Sequence, residues 1–406
     1  MKKWFVWPVL LAGVLCACGA QPTGQSAVTL PMNTERPVVA DLPADEAGPT
    51  PEPTPAAETT LTAADLTLEE KVGQLFIIRP DSLDLTLPQE QIDDAKADGV
   101  TELTDAMRET LQAYPVGGIC QFGKNITDPE QLAQFNADLQ AASRTPLFIA
   151  VDEEGGAVAR LANKDTFDLP RYESAAAVGA EGVDAACAMG QTIGAYLKEY
   201  GFTMDFAPDA DVNTNPDNPI IGTRAFSSDA GTAAAMAAAM ADGLRQNGIL
   251  PTLKHFPGHG DTAEDSHTAL AVTYKTLDEL QACELLPFAA DTGLHAVMVG
   301  HIAAPNVTGD GTPATLSPQL VALIPDAENT LIVTDSLAMD AITAAYTPGE
   351  AAVQALQAGC DVLLMPNSLP EAYAAVLEAV QNGTISEERL DRSVNKILLY
   401  KQQFAS

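Results

Sequence analysis

Eight short apolar runs recur along the sequence after residue 60, and stretches of helical character separate them. The predicted strands are 73–79, 117–122, 147–152, 203–207, 251–256, 296–301, 330–335 and 361–365. The predicted helices are 129–142, 182–200, 229–247, 276–290, 349–358 and 370–381, with a closing amphipathic helix over 385–401. Strands that alternate with helices favour parallel βα units. Eight such units predict a single α/β protein with a (β/α)8 TIM-type barrel, and an open doubly wound sheet is the competing architecture.

The chain begins with a segment that is typical of export. Residues 1–17 start with a basic end, continue through a short apolar run and lead to Cys18. The run is too short to span a bilayer, so it predicts a signal peptide. Its end, Leu15-Cys16-Ala17-Cys18, resembles the bacterial lipoprotein processing box with Cys18 as the lipid acceptor. An ordinary signal peptide is the alternative, whereas lipidation predicts an extracytoplasmic, membrane-anchored protein.

A segment of biased composition follows the predicted lipid site. Residues 18–60 are rich in Pro, Ala, Thr and Glu and contain no aromatic residue. Such a segment cannot bury enough apolar surface to fold, so we expect a disordered linker. The barrel domain is predicted over 61–406, a length that supports one large core.

The acidic composition limits the possible partners. The formal charge of the sequence is -34 at pH 7. Such a surface repels a polyanion, so we expect no nucleic-acid partner. The predicted domain has four cysteines in apolar segments, which favours small buried side chains over disulfide bridges. They are Cys120, Cys187, Cys283 and Cys360. We expect a monomer that uses no cofactor.

Polar side chains follow the carboxyl ends of five predicted strands. In chain order they are Asp152 with Arg160, Asp205 with Arg224, Lys254 with His255, then His301, then Asp335. The carboxyl ends of barrel strands meet on one face, so these residues would line a single pocket. His301 either faces this pocket or is a buried histidine with satisfied hydrogen bonds.

The stretch from Lys254 to His267 contains three of the five histidines and several carboxylates among glycine and proline. Glycine and proline prevent a regular helix, so we expect a mobile loop after strand five. One alternative is a metal-dependent barrel hydrolase. Its ligands would be His255, His259, Asp261 and His267. Ligands four residues apart normally share a helix face, which Pro257 and Gly258 would break, so His259 and Asp261 are predicted to shape the loop.

Three motifs together carry a family resemblance. They are Asp152-Glu153-Glu154-Gly155-Gly156, the Lys254 to His267 loop, and Thr334-Asp335-Ser336-Leu337-Ala338-Met339. They resemble the signature segments of glycoside hydrolase family 3, in its β-N-acetylhexosaminidase branch. The resemblance covers nearly the whole predicted domain and keeps the motifs in family order. The family commonly has Gln where Glu153 stands and Arg where Ala157 stands.

The resemblance implies roles for individual residues. Asp335 is implied as the catalytic nucleophile, and Asp265 with His267 as the acid/base pair. The residues implied to hold the terminal sugar are Asp152, Arg160, Arg224, Lys254 and His255. For the two arginines and Lys254, an ion-pair cluster that only holds the barrel mouth together is the alternative. Arg160 is predicted to lie at the start of a helical stretch. For Asp335, the alternative is an N-cap of the next helix.

The chemistry of these residue types agrees with the implied activity. Retaining glycoside hydrolysis needs a carboxylate that attacks the anomeric carbon and a second group that protonates the leaving oxygen. A histidine titrates near neutral pH, and a neighbouring aspartate can orient its ring. We therefore expect an exo-acting, retaining β-N-acetylglucosaminidase, with peptidoglycan fragments or chitin oligomers as substrates. Phosphate could replace water as the acceptor, because a histidine repels phosphate less than a carboxylate does.

A noncatalytic, sugar-binding lipoprotein is the third class considered. Such a binder has no need of an aspartate placed with an Asp-His pair, and tryptophan platforms would be expected in it. Both tryptophans, Trp4 and Trp7, lie in the predicted signal peptide. The absence of tryptophan from the rest of the sequence argues against binding of long polysaccharides and favours binding of one terminal sugar in a polar pocket.

Overall fold

Eight parallel strands form the centre of the computed structural model, which describes residues 61–263, 269–291 and 293–405. They are β1 (Phe76–Ile78), β2 (Gly118–Cys120), β3 (Phe148–Val151), β4 (Met204–Asp205), β5 (Leu250–Phe256), β6 (Ala296–Val299), β7 (Leu331–Thr334) and β8 (Leu363–Leu364). From β1 to β7 each strand pairs with the next one in the sequence, and β1 also pairs with β8. The predicted signal peptide, Cys18 and the linker lie outside the described residues.

The sheet closes between β7 and β8, which are the two ends of the bonded order. A parallel bridge joins Val333 of β7 to Val362, just before β8. The Thr334 N–H also donates to the Val362 carbonyl at 2.9 Å. The result is a nearly closed parallel barrel, which confirms the predicted (β/α)8 architecture and excludes the open sheet.

Helices surround the barrel. Their bounds are Leu68–Gln74, Gln89–Asp93, Asp105–Ala113, Pro129–Ala142, Ala175–Glu181, Val183–Glu199, Ala230–Gln246, Leu277–Ala282, Leu286–Ala290, Pro305–Thr308, Pro318–Val321, Asp340–Thr343, Pro348–Ala358, Leu369–Gln381 and Glu387–Phe404. Within the described part of the chain, none of the helices combines the length and apolar character needed to cross a bilayer.

Local sequence signals explain several helix boundaries. The helix Pro129–Ala142 begins after Asp128, whose carboxylate accepts from the Gln131 N–H at 3.0 Å. The closing helix begins after Ser386, whose hydroxyl accepts from the Arg389 N–H at 3.1 Å. A side-chain acceptor at this position satisfies an N–H that has no partner within the helix. Both helices agree with the sequence prediction to within three residues at either end.

The predicted helix 276–290 is wrong in one respect, because the structure divides it into two. Leu277–Ala282 ends at Cys283, where the backbone leaves the helical region with φ −139° and ψ −81°. Leu286–Ala290 then starts with Pro287 in its first turn. Proline in a helix interior loses a hydrogen bond and clashes with the preceding turn, whereas the first turn tolerates it. The break leaves Glu284 between the two helices, fully buried.

The four barrel cysteines are all unbridged thiols. Cys120 and Cys360 are buried, as predicted. The same prediction is wrong for Cys187 and Cys283, which are only partly buried.

A lysine is buried on the closing helix. Lys401 is 1% exposed, its ammonium donates to the Gln74 side-chain carbonyl at 2.6 Å, and it lies 5.4 Å from the centroid of the Phe148 ring. Burial disfavours the charged form of an amine. It lowers the pKa of Lys401 to about 7.

Lys401→Met should therefore stabilise the protein at neutral pH. In the unfolded chain the lysine pKa stays near 10.5, so between pH 7 and 10.5 the unfolded state binds more protons and wild-type stability rises with pH. The lowered pKa corresponds to roughly 4 kcal/mol at pH 7, and loss of the hydrogen bond to Gln74 offsets part of this gain. The variant should therefore gain on the order of 2 kcal/mol at pH 7 and lose this part of the pH dependence. Urea unfolding at pH 7 and pH 9.5 measures both effects.

Lys396→Met is the control on the same helix. Lys396 pairs with the buried Asp361 at 2.7 Å, so its removal should destabilise the protein. A Lys401→Met variant that is less stable than wild type at pH 7 would contradict the prediction.

Candidate active site

A cavity of about 640 Å³ opens at the carboxyl ends of the strands. Its lining includes the predicted sugar-binding residues and the predicted nucleophile: Asp152, Arg160, Arg224, Lys254, His255 and Asp335. The structure thus brings together residues that are up to 183 positions apart in the sequence. Their catalytic and binding roles stay predictions. The predicted acid/base pair, Asp265 and His267, lies outside the described residues.

Charged side chains of alternating sign form a row beside this cavity. In order they are Arg160, Asp152, Lys254, Glu154, Arg224 and Asp209, here called the ion-pair row. Lys254 is central, with Nζ 2.7 Å from Asp152 Oδ1 and 2.7 Å from Glu154 Oε1. The second Asp152 oxygen lies 3.6 Å from the Arg160 guanidinium. Lys254 is only 3% exposed, so its charge is compensated by these carboxylates and not by water.

Arg224 holds the other end of the row. Its Nε and NH2 groups donate to the two Glu154 oxygens at 2.9 and 2.8 Å, and its guanidinium lies 3.5 Å from Asp209 Oδ2. The bidentate geometry fixes the guanidinium plane as well as its position. Burial and the neighbouring Asp211 carboxylate raise the pKa of Asp209 well above its usual value, so Asp209 is the weakly charged end.

The pairing decides the ionisation of the central members. Burial acts to raise the pKa of Asp152, but Lys254 and Arg160 outweigh it and lower this pKa below its usual value. Burial has the same effect on Glu154, and Arg224 and Lys254 hold its pKa far below the usual value. These carboxylates are therefore ionised at neutral pH. Fixed charges of both signs can accept from and donate to sugar hydroxyls without rearrangement.

Glu154 is a site residue to which the sequence reasoning assigned no role. Side chains alternate along an extended strand, so Asp152 and Glu154 share one side and Glu153 has the other. This two-residue period is the sequence signal that could have identified Glu154. On the opposite side, Glu153 accepts from the Leu161 N–H at 2.9 Å and the Tyr196 hydroxyl at 2.9 Å. The Glu153 carboxylate thus accepts hydrogen bonds in the protein interior.

Arg160 reaches the cavity from a β-hairpin. The sequence prediction placed it at the start of a helical stretch, and that prediction is wrong. Glu153–Gly155 pairs antiparallel with Val158–Ala159, and Arg160 follows directly. The turn uses Gly155 and Gly156 at φ 81° and 61°, a region that residues with a Cβ rarely adopt. This glycine pair ends the strand abruptly, which brings the arginine back to Asp152.

Asp335 directly follows β7, and the main chain holds it. Its N–H donates to the Val299 carbonyl of β6 at 2.9 Å, and its Oδ1 accepts from the Ser336 N–H at 2.7 Å. The next helix begins at Asp340 with Met339 as its N-cap. Asp335 is therefore not a helix cap, and the structural alternative for this residue is wrong.

His301 supports the segment that follows Asp335. Its Nε2 lies 2.8 Å from the Ser336 carbonyl and its Nδ1 lies 2.7 Å from the Thr315 hydroxyl. The residue is fully buried. His301 is therefore a core histidine with both ring nitrogens in hydrogen bonds, which decides between the two predicted interpretations.

Asp211 connects His255, near the end of β5, to His259 in the loop that follows. One oxygen lies 2.7 Å from His255 Nδ1, and the other accepts from the His259 N–H at 2.5 Å. Asp209, Asp211 and His255 place possible metal-ligand atoms within 4.8 Å of one another. This group shares only His255 with the ligand set of the metal-dependent alternative. The Arg224 guanidinium next to Asp209 already supplies a positive charge there.

Lys254→Met should impair both stability and activity. The change leaves the buried Glu154 and the partly buried Asp152 without the cation between them, which should lower the free energy of unfolding by about 3–5 kcal/mol. Because Asp152 and Glu154 would then shift or bind protons, kcat/KM should fall roughly 100-fold. Lys396→Met removes a buried ion pair from a helix outside the cavity lining and should leave kcat/KM unchanged. Unchanged kcat/KM in Lys254→Met would contradict a role in the site.

Comparison with known proteins gives the family. The glycosyl hydrolase family 3 N terminal domain matches residues 67–399. Beta-hexosaminidase LpqI of Mycobacterium tuberculosis is 32% identical over 407 residues, which cover 96% of this chain and 94% of that protein. Beta-hexosaminidase A of Pseudoalteromonas piscicida is 32% identical over 335 residues, 74% of this chain and 56% of that protein.

A solved structure is similar over most of the barrel. It is a glycoside hydrolase family 3 β-N-acetylglucosaminidase from Paenibacillus sp., 37% identical with a TM-score of 0.75. The match covers 84% of this chain and 63% of that one. The chain thus spans little more than half of the Pseudoalteromonas protein and under two thirds of the Paenibacillus chain.

Proposed function

The chain belongs to glycosyl hydrolase family 3, and we propose that it is an exo-acting, retaining β-N-acetylglucosaminidase. It removes terminal β-linked N-acetylglucosamine from cell-wall or chitin-type oligosaccharides through a glycosyl-enzyme intermediate. The observation that carries the proposal is the position of Asp335, which lines the same cavity as five of the six members of the ion-pair row.

The lining of the cavity supports recognition of a single sugar by hydrogen bonds. Phe122 is an aromatic residue of the lining, and the guanidinium groups of Arg79 and Arg160 lie 5.4 and 5.8 Å from its ring centroid. A guanidinium over the ring makes a cation–π contact and competes with a stacked sugar for the ring. Recognition by the charged groups of the ion-pair row therefore dominates, as suits one polar ring held in an enclosed site.

The proposed reaction has two displacements at the anomeric carbon. Asp335 attacks, while His267 protonates the leaving oxygen, and an ester between the sugar and Asp335 forms. His267 then takes a proton from water, and the water oxygen attacks the same carbon while the bond from that carbon to Asp335 breaks. Asp335 leaves as a carboxylate, and the released sugar has the β configuration. Asp265 orients the imidazole and stabilises its protonated form. The roles of Asp265 and His267 rest on the motif resemblance alone.

The proposal is tested with a 4-nitrophenyl β-N-acetylglucosaminide and the matching β-glucoside, each with and without phosphate. We expect the N-acetyl substrate to be preferred, free N-acetylglucosamine to be released, and the first-formed product to be the β anomer by NMR. Preference for the glucoside would overturn the substrate assignment. A sugar 1-phosphate that accumulates only with phosphate would show that phosphate is the acceptor.

We also propose that the protein is a lipoprotein anchored through Cys18. Wild type should be found in the membrane fraction and Cys18→Ser in the soluble fraction, because the variant lacks the acceptor thiol. Cys16→Ser is the matched control, since Cys16 lies on the other side of the predicted cleavage point, and it should behave like wild type. Wild-type protein in the soluble fraction would contradict the proposal.

A further inference from the structure

The loop after β5 has two described stems on either side of Asp265 and His267 in the sequence. The first stem, residues 257–263, packs against the segment that follows β4. The Asn218 side-chain amide donates to the carbonyls of His259 at 2.8 Å and Thr262 at 2.9 Å. A Cβ on Gly260 would lie 2.0 Å from the Val212 carbonyl oxygen, so the two segments are in close contact. The first stem is therefore fixed to the barrel up to its last residues.

The second stem, residues 269–275, joins a different part of the barrel. Ala271–Val272 pairs in parallel with Ile302–Ala303, the short strand that follows β6. The Thr273 N–H extends this pairing by donating to the Ala303 carbonyl at 2.9 Å. The second stem is thus fixed by main-chain hydrogen bonds.

Lys275 links the two stems. Its Nζ lies 3.2 Å from Asp261 Oδ1 on the first stem and forms a short ion pair with Glu284 Oε1. The Thr273 hydroxyl adds a second link, donating to Asp261 Oδ2 at 3.3 Å. Asp261 and Lys275 are about a quarter exposed, at 28% and 23% of their side-chain surfaces, so the link is not fully screened by water.

The second partner of Lys275, Glu284, needs the ammonium group as its counter-charge. The carboxylate is fully buried, in the break between the two helices after the loop. It also packs against the first stem, because a Cβ on Gly258 would lie 2.6 Å from Glu284 Cβ. A buried carboxylate that loses its cation must bind a proton or move towards water. Loss of Lys275 would therefore disturb the first stem through both Asp261 and Glu284.

We propose that Lys275 is a positioning residue that fixes the spacing of the two stems and thereby aims the acid/base pair at the leaving oxygen. The inference rests on the proposed function. The ammonium group does not touch substrate in this role. Its contribution is geometric, since accurate placement of a proton donor governs its efficiency.

The test compares Lys275→Met with Lys71→Met. Both changes remove an ammonium and keep the aliphatic stem, and Lys71 forms a 2.6 Å pair with Asp391 on helices outside the cavity lining. The substrates are a 4-nitrophenyl N-acetylglucosaminide, which has an activated leaving group, and chitobiose, which has a poor one. In Lys275→Met, kcat for chitobiose should fall roughly 10- to 100-fold, while kcat for the aryl substrate should fall less than about 3-fold. Inhibition by free N-acetylglucosamine should be unchanged, because the ion-pair row is intact.

Further variants separate positioning from folding. Lys275→Arg should restore most of the chitobiose activity, and Asp261→Asn, which weakens the link from the other stem, should show the Lys275→Met pattern more mildly. Asp261→Asn replaces Lys275→Met if the latter is unfolded at the assay temperature. Hydrogen exchange of peptides within 255–275 should be faster in Lys275→Met and unchanged in Lys71→Met.

The outcomes distinguish the two proposals. Equal loss on both substrates, or wild-type kinetics and exchange in Lys275→Met, would overturn the positioning role alone. A wild-type protein that cleaves neither substrate would overturn the proposed function, and the exchange experiment would still report whether Lys275 fixes the stems.

Discussion

Replacing Asp335 with asparagine should lower kcat by roughly 10⁴-fold or more, because the two-step reaction has no other nucleophile in its first step. The fold should be unaffected. The asparagine carbonyl can still accept from the Ser336 N–H, and the main-chain hydrogen bond to Val299 does not involve the side chain. Steady-state kinetics and thermal unfolding of the same preparation measure the two effects. A large fall in the unfolding temperature would show that Asp335 is structural.

A trapping experiment identifies the nucleophile directly. A slow substrate whose sugar carries an electron-withdrawing fluorine should accumulate the ester, because fluorine destabilises the positively charged transition state of its breakdown. Peptide mapping should find the added mass on the segment that contains Asp335. Label on Asp152 or Asp265, or an α-configured first product, would contradict the assignment.

His267→Ala should separate substrates by their leaving groups. Turnover of chitobiose should fall roughly 10²- to 10⁴-fold, whereas an activated aryl leaving group needs little protonation and should be affected far less. Asp265→Ala should change turnover in the same direction but less, since it acts on the histidine and not on the substrate. Both are measured as kcat on the two substrates. Equal losses on both would indicate that His267 binds sugar and does not transfer protons.

The barrel could be predicted because its signals are local. A buried parallel strand is a short apolar run, and a surface helix has a period of 3.6 residues. The predicted strand 147–152 and the observed β3, Phe148–Val151, differ by one residue at each end. The family prediction is likewise confirmed, because the glycosyl hydrolase family 3 N terminal domain matches residues 67–399.

The missing details of the site depend on contacts that are distant in sequence. Glu154 pairs with Lys254 and Arg224, which are 100 and 70 residues away, and no local pattern specifies those partners. Arg160 was misplaced because two glycines at positive φ leave no trace in hydrophobic periodicity. The broken helix at Cys283 was missed although Pro287 marks it.

Closure of the barrel makes assembly of the site depend on the end of the polypeptide. β7, which leads to Asp335, has its second bonded neighbour in residues 361–364, and β8 in turn bonds to β1. Every predicted site residue precedes position 336, yet a nascent chain that ends before position 361 leaves β7 as an edge strand. During synthesis, the barrel around Asp335 therefore closes only after the last βα unit has been made and has docked. A chain that ends before position 361 would contain every predicted site residue without the closed barrel that brings them together.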